Sequence, residues 1–352
     1  VGLGEGENFL GSDVAAFVAY TKRAMEIDQD QAVMVSADKV VVSDFMGNIV
    51  PDPKTYTVDW DASAAEKGGW DSFMDKEIHE DPAAVQRTLL GRLDENGNIN
   101  LDEVRIDEHD FKAIDKIIVI ACGTAAYAGM VAKYAIEHWV RIPVEVELAH
   151  EFRYRDPILT PRTLVVAISQ SGETMDTLMA LRHAREQGSK VLAICNTQGA
   201  SIPRESDAVL YTHAGPEVAV ASTKAFVAQI TAAYVLGLYL AQVKGAMYRD
   251  EIAQTLESLK DMPRKIQWIL DTQTKTVQEA AEQMVDAKSF LFLGRHVGYP
   301  VAMEGALKLK EIAYTFTEGF AAGELKHGPI ALVDEGEPVV FIVPPARGRN
   351  VL

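Results

Sequence analysis

Residues 167–174, AISQSGET, contain three hydroxyl side chains and a glycine. They lie between an apolar strand-like run and a helical pattern. In an open parallel sheet, such a turn faces the crevice where ligands bind, and a helix N-terminus presents unpaired N–H groups to anions. A hydroxyl-rich helix cap is the alternative interpretation, although a cap needs only one such residue. Gly172 would allow close backbone approach. The candidate anion-binding residues are Ser169, Gln170, Ser171 and Thr174.

Two further turns lead into helical segments in a similar way, CGTA at residues 122–125 and ASTK at residues 221–224. They add Thr124 and Ser222 to the candidates. No Gly-Lys-Ser/Thr phosphate loop occurs, so a small phosphorylated metabolite fits these turns better than a nucleoside triphosphate.

A second group of polar residues lies in MEGALKLKEIAY, residues 303–314. On a helix, Glu304, Lys308 and Glu311 fall at i, i+4 and i+7 and share one face. We expect the opposite face to carry Ala302, Ala306, Leu309 and Ala313. An amphipathic surface helix with a Glu–Lys pair is the alternative.

The loop GELKHGP, residues 323–329, sets His327 between glycines beside a proline. A carboxylate, a lysine and a histidine beside a phosphate-binding crevice are suited to ring opening and proton transfer on a sugar phosphate. A solvated loop histidine is the alternative. This chemistry requires no cofactor and no metal; no zinc-type spacing occurs, and His150 is interpreted as structural.

From residue 117 onward the chain alternates short apolar runs with helical segments. That alternation predicts a parallel sheet with helices on both faces. A polar helical stretch at about 249–286 then leads to SFLFLGR, residues 289–295, which repeats the strand–glycine pattern of residues 116–123. We therefore expect two copies of one α/β unit, the second incomplete.

The N-terminal region has a different pattern, with strand-like patches at 31–35 and 39–42 that indicate the edge of a β-rich unit. The opening VGLGEGENF lacks the βαβ context of a dinucleotide-binding loop and favours turns. We expect four regions: a β-rich remnant at 1–50, a linker at 51–74, a first α/β domain at 75–248 and a second, incomplete one at 249–352.

The composition excludes several classes of protein. The 352 residues include 34 Lys and Arg against 51 Asp and Glu, a net charge of −17, which argues against nucleic-acid or membrane partners. No apolar run reaches the ~18 residues of a membrane span. Cys122 and Cys195 each end an apolar run, so we expect buried reduced thiols and a cytoplasmic location. The first residue, Val1, suggests that the chain begins inside a longer one, and the few residues after the last apolar run, 338–343, suggest that it is also truncated at the C-terminus.

Seven motifs together resemble the isomerase portion of the glutamine–fructose-6-phosphate aminotransferases, also called glucosamine-6-phosphate synthases. They are ACGTAAYAG, EFRYR, SQSGETMDTL, AICN, GPEVAVASTKAF, EGALKLKEI and GELKHGP. The resemblance runs from about residue 75 to the end, and residues 1–50 look like the tail of the family's glutaminase domain, of Ntn-hydrolase type. It implies two sugar-isomerase (SIS) domains with a three-layer, flavodoxin-like, doubly wound α/β fold.

The family converts fructose 6-phosphate and glutamine-derived ammonia to glucosamine 6-phosphate by ring opening and proton transfer between C1 and C2. The resemblance implies that Glu311 is the base, that Lys308 assists it at the open-chain sugar, and that His327 opens the ring from a neighbouring subunit of a homodimer. The residues that it implies hold the phosphate and sugar are Thr124, Ser169, Gln170, Ser171, Thr174 and Ser222.

Three departures from the family limit this expectation. Ala125 stands where the family often has serine, so Thr124 or backbone N–H groups must replace one phosphate hydroxyl. The glutaminase's N-terminal cysteine is absent, so glutamine could be used only through a missing domain, and the C-terminal lysine proposed to bind the sugar is also absent. A regulatory phosphosugar-binding module, or another SIS-type phosphosugar isomerase, remains the alternative function.

Overall fold

The structure, a computed structural model, describes residues 1–11, 14–58, 60–61, 63, 66–92, 98–101 and 104–344. The chain divides into two compact units. The first unit comprises Val1–Lys76 and Gly215–Val218, and the second comprises Glu77–Ala214 and Ala219–Leu352.

The first unit is built from short antiparallel strands. Four of its strands pair in the order β2-β1-β3-β6, and β4 pairs with β5 as a separate hairpin. A small core of Phe17, Val18, Ala24 and Val58 underlies this unit. The strands are β1 Gly2–Leu3, β2 Asn8–Phe9, β3 Arg23–Met25, β4 Gln31–Val35, β5 Val40–Asp44 and β6 Thr55–Thr57.

The predicted β-rich N-terminus is confirmed, and the glycine-rich opening forms the β1–β2 hairpin. Strand β6 lies within residues 51–74, the predicted linker, and pairs with β3. Three residues of extended backbone in a polar stretch give little sequence signal, because the pairing partner lies about 30 residues earlier in the chain.

The second unit contains a five-stranded parallel sheet in the order β11-β10-β9-β7-β8. Its strands are β7 Lys116–Ala121, β8 Val144–Leu148, β9 Thr163–Ser169, β10 Lys190–Cys195 and β11 Ala208–Tyr211. In chain order this is 2-1-3-4-5, the flavodoxin-like doubly wound arrangement. The predicted parallel sheet is therefore confirmed.

Helices cover both faces of this sheet. The helices up to the end of the sheet are α1 Phe73–His79, α2 Asp81–Leu89, α3 Glu108–Ala113, α4 Gly123–Val140, α5 Ala149–Tyr154, α6 Met175–Glu186, α7 Ser201–Glu205 and α8 Lys224–Lys244. One apolar core lies between the sheet and α3, α4 and α8, and the other lies between the sheet and α5, α6 and α7. The two cores explain the uninterrupted apolar strands, because both faces of each central strand are buried.

Helix α8 is long and apolar enough to meet the length and composition criteria for a membrane span. Its apolar side chains pack in the core against α4, and 61% of the qualifying stretch is buried. Its composition is that of a core helix, and it ends at Gly245, which adopts a left-handed conformation with φ of 64°.

A second parallel sheet repeats the start of the first. Its strands, in the order β13-β12-β14, are β12 Ser289–Gly294, β13 Phe316–Ala321 and β14 Val339–Ile342. Helices α9 Arg249–Lys260 and α10 Met262–Gln283 precede this sheet in the chain, and α11 Gly298–Ala313 follows β12 and packs on it. The order β13-β12-β14 matches β8-β7-β9, so the predicted repetition of the strand–helix unit is present.

Helix α11 lies on β12 and β13 and contacts α4. Gly305 allows this close approach, because a Cβ atom there would lie 2.9 Å from the Phe292 ring of β12. The helix that carries Glu304, Lys308 and Glu311 is therefore held between its own sheet and the N-terminal half of the unit.

Candidate active site

The loop after β9 is held in place by its own hydroxyl groups. The Oγ atom of Ser169 accepts a hydrogen bond from the Gly172 N–H at 3.0 Å and shares one with the Thr174 hydroxyl at 3.1 Å. The Ser171 Oγ accepts a bond from the N–H of Glu173 at 3.2 Å. Thr174 occupies the N-cap position of α6, but its side chain does not cap the helix. The alternative of a hydroxyl-rich helix cap therefore does not hold at Thr174, because its hydroxyl bonds to Ser169 instead.

Gly172 is required by the loop's shape. Its φ is +70°, and a Cβ atom would lie 2.6 Å from the Ala200 Cβ and 2.8 Å from the Cys195 Sγ. The backbone at Gly172 is thus closely approached by the side chains of Ala200 and Cys195. Burial raises the pKa of the Cys195 thiol to about 12, so this cysteine stays protonated, and the expectation of a buried thiol holds for it. Cys122 is only partly buried.

A cavity of about 200 Å³ opens at the carboxyl ends of β7 and β9. Thr124 reaches it from the first turn of α4, and Ser222 reaches it from just before α8. The cavity wall includes all six side chains that the sequence predicts to bind the phosphosugar, namely Thr124, Ser169, Gln170, Ser171, Thr174 and Ser222.

Four other residues of the wall were not predicted to bind the sugar. Cys122 directly follows β7, Ile168 is the next-to-last residue of β9, Ala125 presents a methyl group, and Gln229 comes from the second turn of α8. Gln229 could have been noticed as an isolated amide in the apolar run 225–241. Its significance was hidden because sequence periodicity does not reveal which side of a fully buried helix meets a cavity.

The cavity wall contains hydroxyl, amide, thiol and apolar side chains but no charged one. A lysine at the edge of this region, Lys224, is only 1% exposed, and its ammonium group pairs with the Glu80 carboxylate at 2.5 Å. An anion in the cavity would therefore rely on hydroxyls and on the N-terminal N–H groups of α4 and α6.

The acid–base residues form a second cluster on α11. The Lys308 ammonium lies 3.5 Å from the Glu304 carboxylate and 2.7 Å from the Glu311 carboxylate. The side chain of Lys308 is mostly buried, whereas about a third of Glu311 is exposed. The predicted common face of the three residues is thus present, with a cation between two carboxylates.

The alternative of an amphipathic surface helix does not hold at Glu304. Glu304 is only 6% exposed, and its Oε2 atom is buried with no hydrogen-bond partner among the described residues. Burial raises the pKa of its carboxyl group, while Lys308 and the Thr124 hydroxyl oppose that rise. Two of the four residues expected on the apolar face, Ala302 and Ala306, are buried, but Leu309 is only partly buried and Ala313 is exposed, because the end of α11 extends beyond the sheet.

The cavity and the acid–base cluster are joined by one hydrogen bond. The Thr124 hydroxyl, which lines the cavity, donates to Glu304 Oε1 at 3.0 Å. The Thr124 proton is therefore already used, which leaves backbone N–H groups to replace the hydroxyl that Ala125 lacks.

Neither Glu311 nor His327 lines the cavity; His327 is exposed at the end of a 3-10 helix, Ala322–His327. Within the described residues, no cluster of His, Cys, Asp or Glu has the composition of a metal site.

Comparison with known proteins decides the family. The model of the SIS domain matches residues 111–239 and 283–351, more than half of the chain. The chain belongs to the SIS domain family. Both matched segments carry site residues, since the first includes the hydroxyl-lined loop and the second includes α11.

Relatives and solved structures narrow this assignment. The isomerizing glutamine–fructose-6-phosphate aminotransferases of Corynebacterium efficiens and Corynebacterium diphtheriae are each 67% identical over all 352 residues. The match covers 56% of each relative, so the SIS chain spans about half their length. A solved C-terminal domain of glucosamine-fructose-6-phosphate aminotransferase from Francisella tularensis is 43% identical, with a TM-score of 0.77, covering 80% of this chain and 78% of that one. The SIS chain thus corresponds to the isomerase portion of these aminotransferases, as its motifs predicted.

Proposed function

We propose that this SIS chain is the isomerase part of a glucosamine-6-phosphate synthase, converting fructose 6-phosphate and ammonia to glucosamine 6-phosphate. The single observation that carries the proposal is the Thr124–Glu304 hydrogen bond, because it joins an uncharged, hydroxyl-lined cavity to a carboxylate–lysine–carboxylate cluster. Glutamine would enter the reaction only through a separate glutaminase domain, which supplies the ammonia.

The phosphate group would occupy the 200 Å³ cavity. Ser169 and Thr174 hold the loop, while Ser171, Gln170 and Ser222 offer polar groups to the phosphate or sugar. Helix N-termini favour an anion there without a permanent positive charge. Uncharged donors also allow product release, because a phosphate paired with several buried cations would leave slowly.

Proton transfer would take place at α11. Glu311 would take the proton from C1 of the open-chain sugar and return it to C2, and the Lys308 ammonium, 2.7 Å from Glu311, would orient this carboxylate and stabilise negative charge that develops on the sugar oxygen. Partial exposure of Glu311 leaves it accessible to a sugar that extends out of the cavity.

The phosphate assignment is tested by calorimetry with fructose 6-phosphate and glucosamine 6-phosphate. We expect the double variant Ser169→Ala, Ser171→Ala to bind both sugars at least about tenfold more weakly than the parent, because Ser171 loses a group offered to the ligand and Ser169 loses the bonds that hold the loop. Equal binding by parent and double variant would show that the phosphate does not bind in this cavity.

A regulatory phosphosugar-binding module is the second candidate, since the five hydroxyl side chains that line the cavity suffice for binding without catalysis. Exchange of the C1 and C2 protons with deuterated water, followed by NMR, distinguishes an isomerase from a regulatory module. We expect Glu311→Gln to bind the sugar but to lose exchange, by a factor of about 10²–10⁴. Unchanged exchange in this variant would point to a different base, and absence of exchange in the parent would favour the regulatory module.

Ring opening would use His327 from the second subunit of a homodimer. Support comes from the exposure of His327 and from its position beside the exposed side chains of Ile330 and Leu332. Mixing two inactive variants, Glu311→Gln and His327→Ala, tests this arrangement. If His327 acts across the dimer, mixed dimers contain one intact site and regain activity with fructose 6-phosphate; if it acts within its own chain, mixing restores nothing.

A cytoplasmic location completes the proposal. Both Cys122 and Cys195 are unpaired, which suits a reducing compartment. Fractionation of the source cells with detection of the chain would test it, and recovery in the soluble fraction is the expected result.

A further inference from the structure

Gln229 is a buried polar residue that the proposed mechanism does not use. It lies in the second turn of α8, is only 2% exposed and lines the 200 Å³ cavity together with the hydroxyl residues. Its Oε1 atom has no hydrogen-bond partner among the described residues. Buried amide oxygens are normally bonded, so an unpaired one beside a cavity indicates a place for a ligand's donor.

A second glutamine on the same helix shows the ordinary arrangement. Gln242 accepts a hydrogen bond from the Ile99 N–H at 3.0 Å and donates one to the Ile99 carbonyl at 3.1 Å. Its amide is satisfied within the protein and ties residue 99 to α8. Gln229 therefore differs from Gln242 in the missing partner, not in helix or residue type.

The chemistry of Oε1 restricts what the partner can be. An amide oxygen only accepts hydrogen bonds, so it needs a group that carries a proton. The oxygens of a dianionic phosphate carry none, whereas every sugar hydroxyl does. The hydroxyls and helix N-termini around residues 169–174 favour the phosphate on their own side of the cavity. The wall formed by α8 is then left for the sugar.

We propose that Gln229 contacts the sugar part of the bound phosphosugar and accepts a hydrogen bond from one of its hydroxyls, contributing to sugar selectivity. The proposal rests on the proposed function, because it takes a phosphosugar as the occupant of the cavity. It adds a residue that distinguishes a phosphosugar from a bare phosphate.

Calorimetry with two probes, fructose 6-phosphate and inorganic phosphate, tests this assignment in Gln229→Leu and Gln229→Met. Both variants remove the amide with little change in volume. We expect the Kd for fructose 6-phosphate to rise about five- to tenfold, the effect of one lost hydrogen bond, while the Kd for inorganic phosphate changes less than about twofold.

The matched control is Gln242→Leu, which removes a satisfied amide from the same helix. It should lower the Tm and leave both Kd values unchanged, whereas Gln229→Leu should leave the Tm unchanged or raise it, since the Gln229 Oε1 atom has no hydrogen-bond partner to lose among the described residues. A purely structural Gln229 would alter the Tm without changing the ratio of the two Kd values.

Two results would overturn the inference: unchanged binding of fructose 6-phosphate in both Gln229 variants, or an equal loss for the two probes. These are distinguishable from failure of the proposed function. If the parent chain binds fructose 6-phosphate and the Ser169→Ala, Ser171→Ala variant does not, the phosphosugar site stands and only the assignment of Gln229 fails; if the parent itself does not bind, both fail.

Discussion

The hydroxyl of Thr124, at the start of α4, donates a hydrogen bond of 3.0 Å to the Oε1 atom of Glu304, in the middle of α11. The two residues are 180 positions apart in the chain and belong to the two repeated strand–helix units. Glu304 in turn contacts Lys308, and Lys308 contacts Glu311. The cavity and the proposed base are therefore connected in three steps, one hydrogen bond between α4 and α11 and two ion pairs along α11.

Thr124→Val removes the donor with almost no change in shape. Because the Thr124 hydroxyl lowers the pKa of the Glu304 carboxyl, we expect that pKa to rise further in the variant. The free energy of unfolding should fall by about 1–2 kcal/mol, since a buried carboxylate oxygen loses its partner. Urea unfolding measures the stability, and carboxyl-carbon NMR follows the titration. Thr124→Ser keeps the hydroxyl and should behave like the parent; equal effects of valine and serine would contradict the role of this bond.

Glu304→Gln should change how stability depends on pH. The pKa of Glu304 is raised above its ordinary value of 4.5 in the folded chain, so the folded state holds this proton more tightly than the unfolded state. Its contribution to the free energy of unfolding is therefore largest at low pH and declines as pH rises from 4.5 through the folded pKa.

Urea unfolding of parent and Glu304→Gln over a series of pH values measures this decline. The stability of the parent relative to the variant should fall as pH increases. Lys308→Met should steepen the fall, because the ammonium group that opposes the raised pKa is lost. A difference between parent and Glu304→Gln that stays constant with pH would show that Glu304 does not titrate differently on folding.

Gly172→Ala should destabilise the chain for two reasons. The positive φ of +70° strains any residue with a Cβ atom, and that atom would lie 2.6 Å from the Ala200 Cβ. Strain of about 1 kcal/mol and overpacking of about 1–3 kcal/mol add to an expected loss of about 2–4 kcal/mol. Gly188→Ala is the matched control, since Gly188 has a φ of +84° with nothing within 4 Å of the added atom. The Gly188→Ala variant should lose only the stability that backbone strain costs. Equal losses of stability in the two variants would argue against crowding at Gly172.

The two cysteines should differ in their reaction with iodoacetamide. The Cys195 thiol is fully buried, with a pKa raised to about 12, so it should react only after unfolding. Cys122 is partly exposed and lines the cavity, so it should be alkylated first and be protected by fructose 6-phosphate. Mass spectrometry of the modified peptides distinguishes the two. Alkylation of Cys122 that is unaffected by the sugar would place the ligand elsewhere.

Much of the α/β fold follows from local patterns. Apolar runs between helical segments predicted the parallel sheet, and the strand–glycine–helix pattern predicted that it would begin again near residue 289. Both are visible locally because a strand buried on two faces must be apolar throughout. Strand β6 was missed, since its pairing with β3 depends on a distant partner and not on its own residues.

The sequence predicted individual residues that line the cavity and the common face of α11, but not how they are covered. Each of the six candidate binding residues lies next to the end of a strand or the start of a helix, and the parallel arrangement brings such positions to one edge. The burial of Glu304 was not predicted, because i, i+4 and i+7 spacing gives a common face but not what covers that face. The role of Gln229 stays a proposal that no sequence pattern suggested.

The sequence by itself determined the residue types, their order on strands and helices, and the SIS-type motifs. These features depend only on neighbours a few positions away in the chain. Only the tertiary structure decided that Thr124 meets Glu304 and that Gln229 lines the cavity with its Oε1 atom unbonded among the described residues. The Thr124–Glu304 hydrogen bond joins residues 180 positions apart in the chain. Both features arise from the packing of α4 against α8 and α11, which no local period encodes.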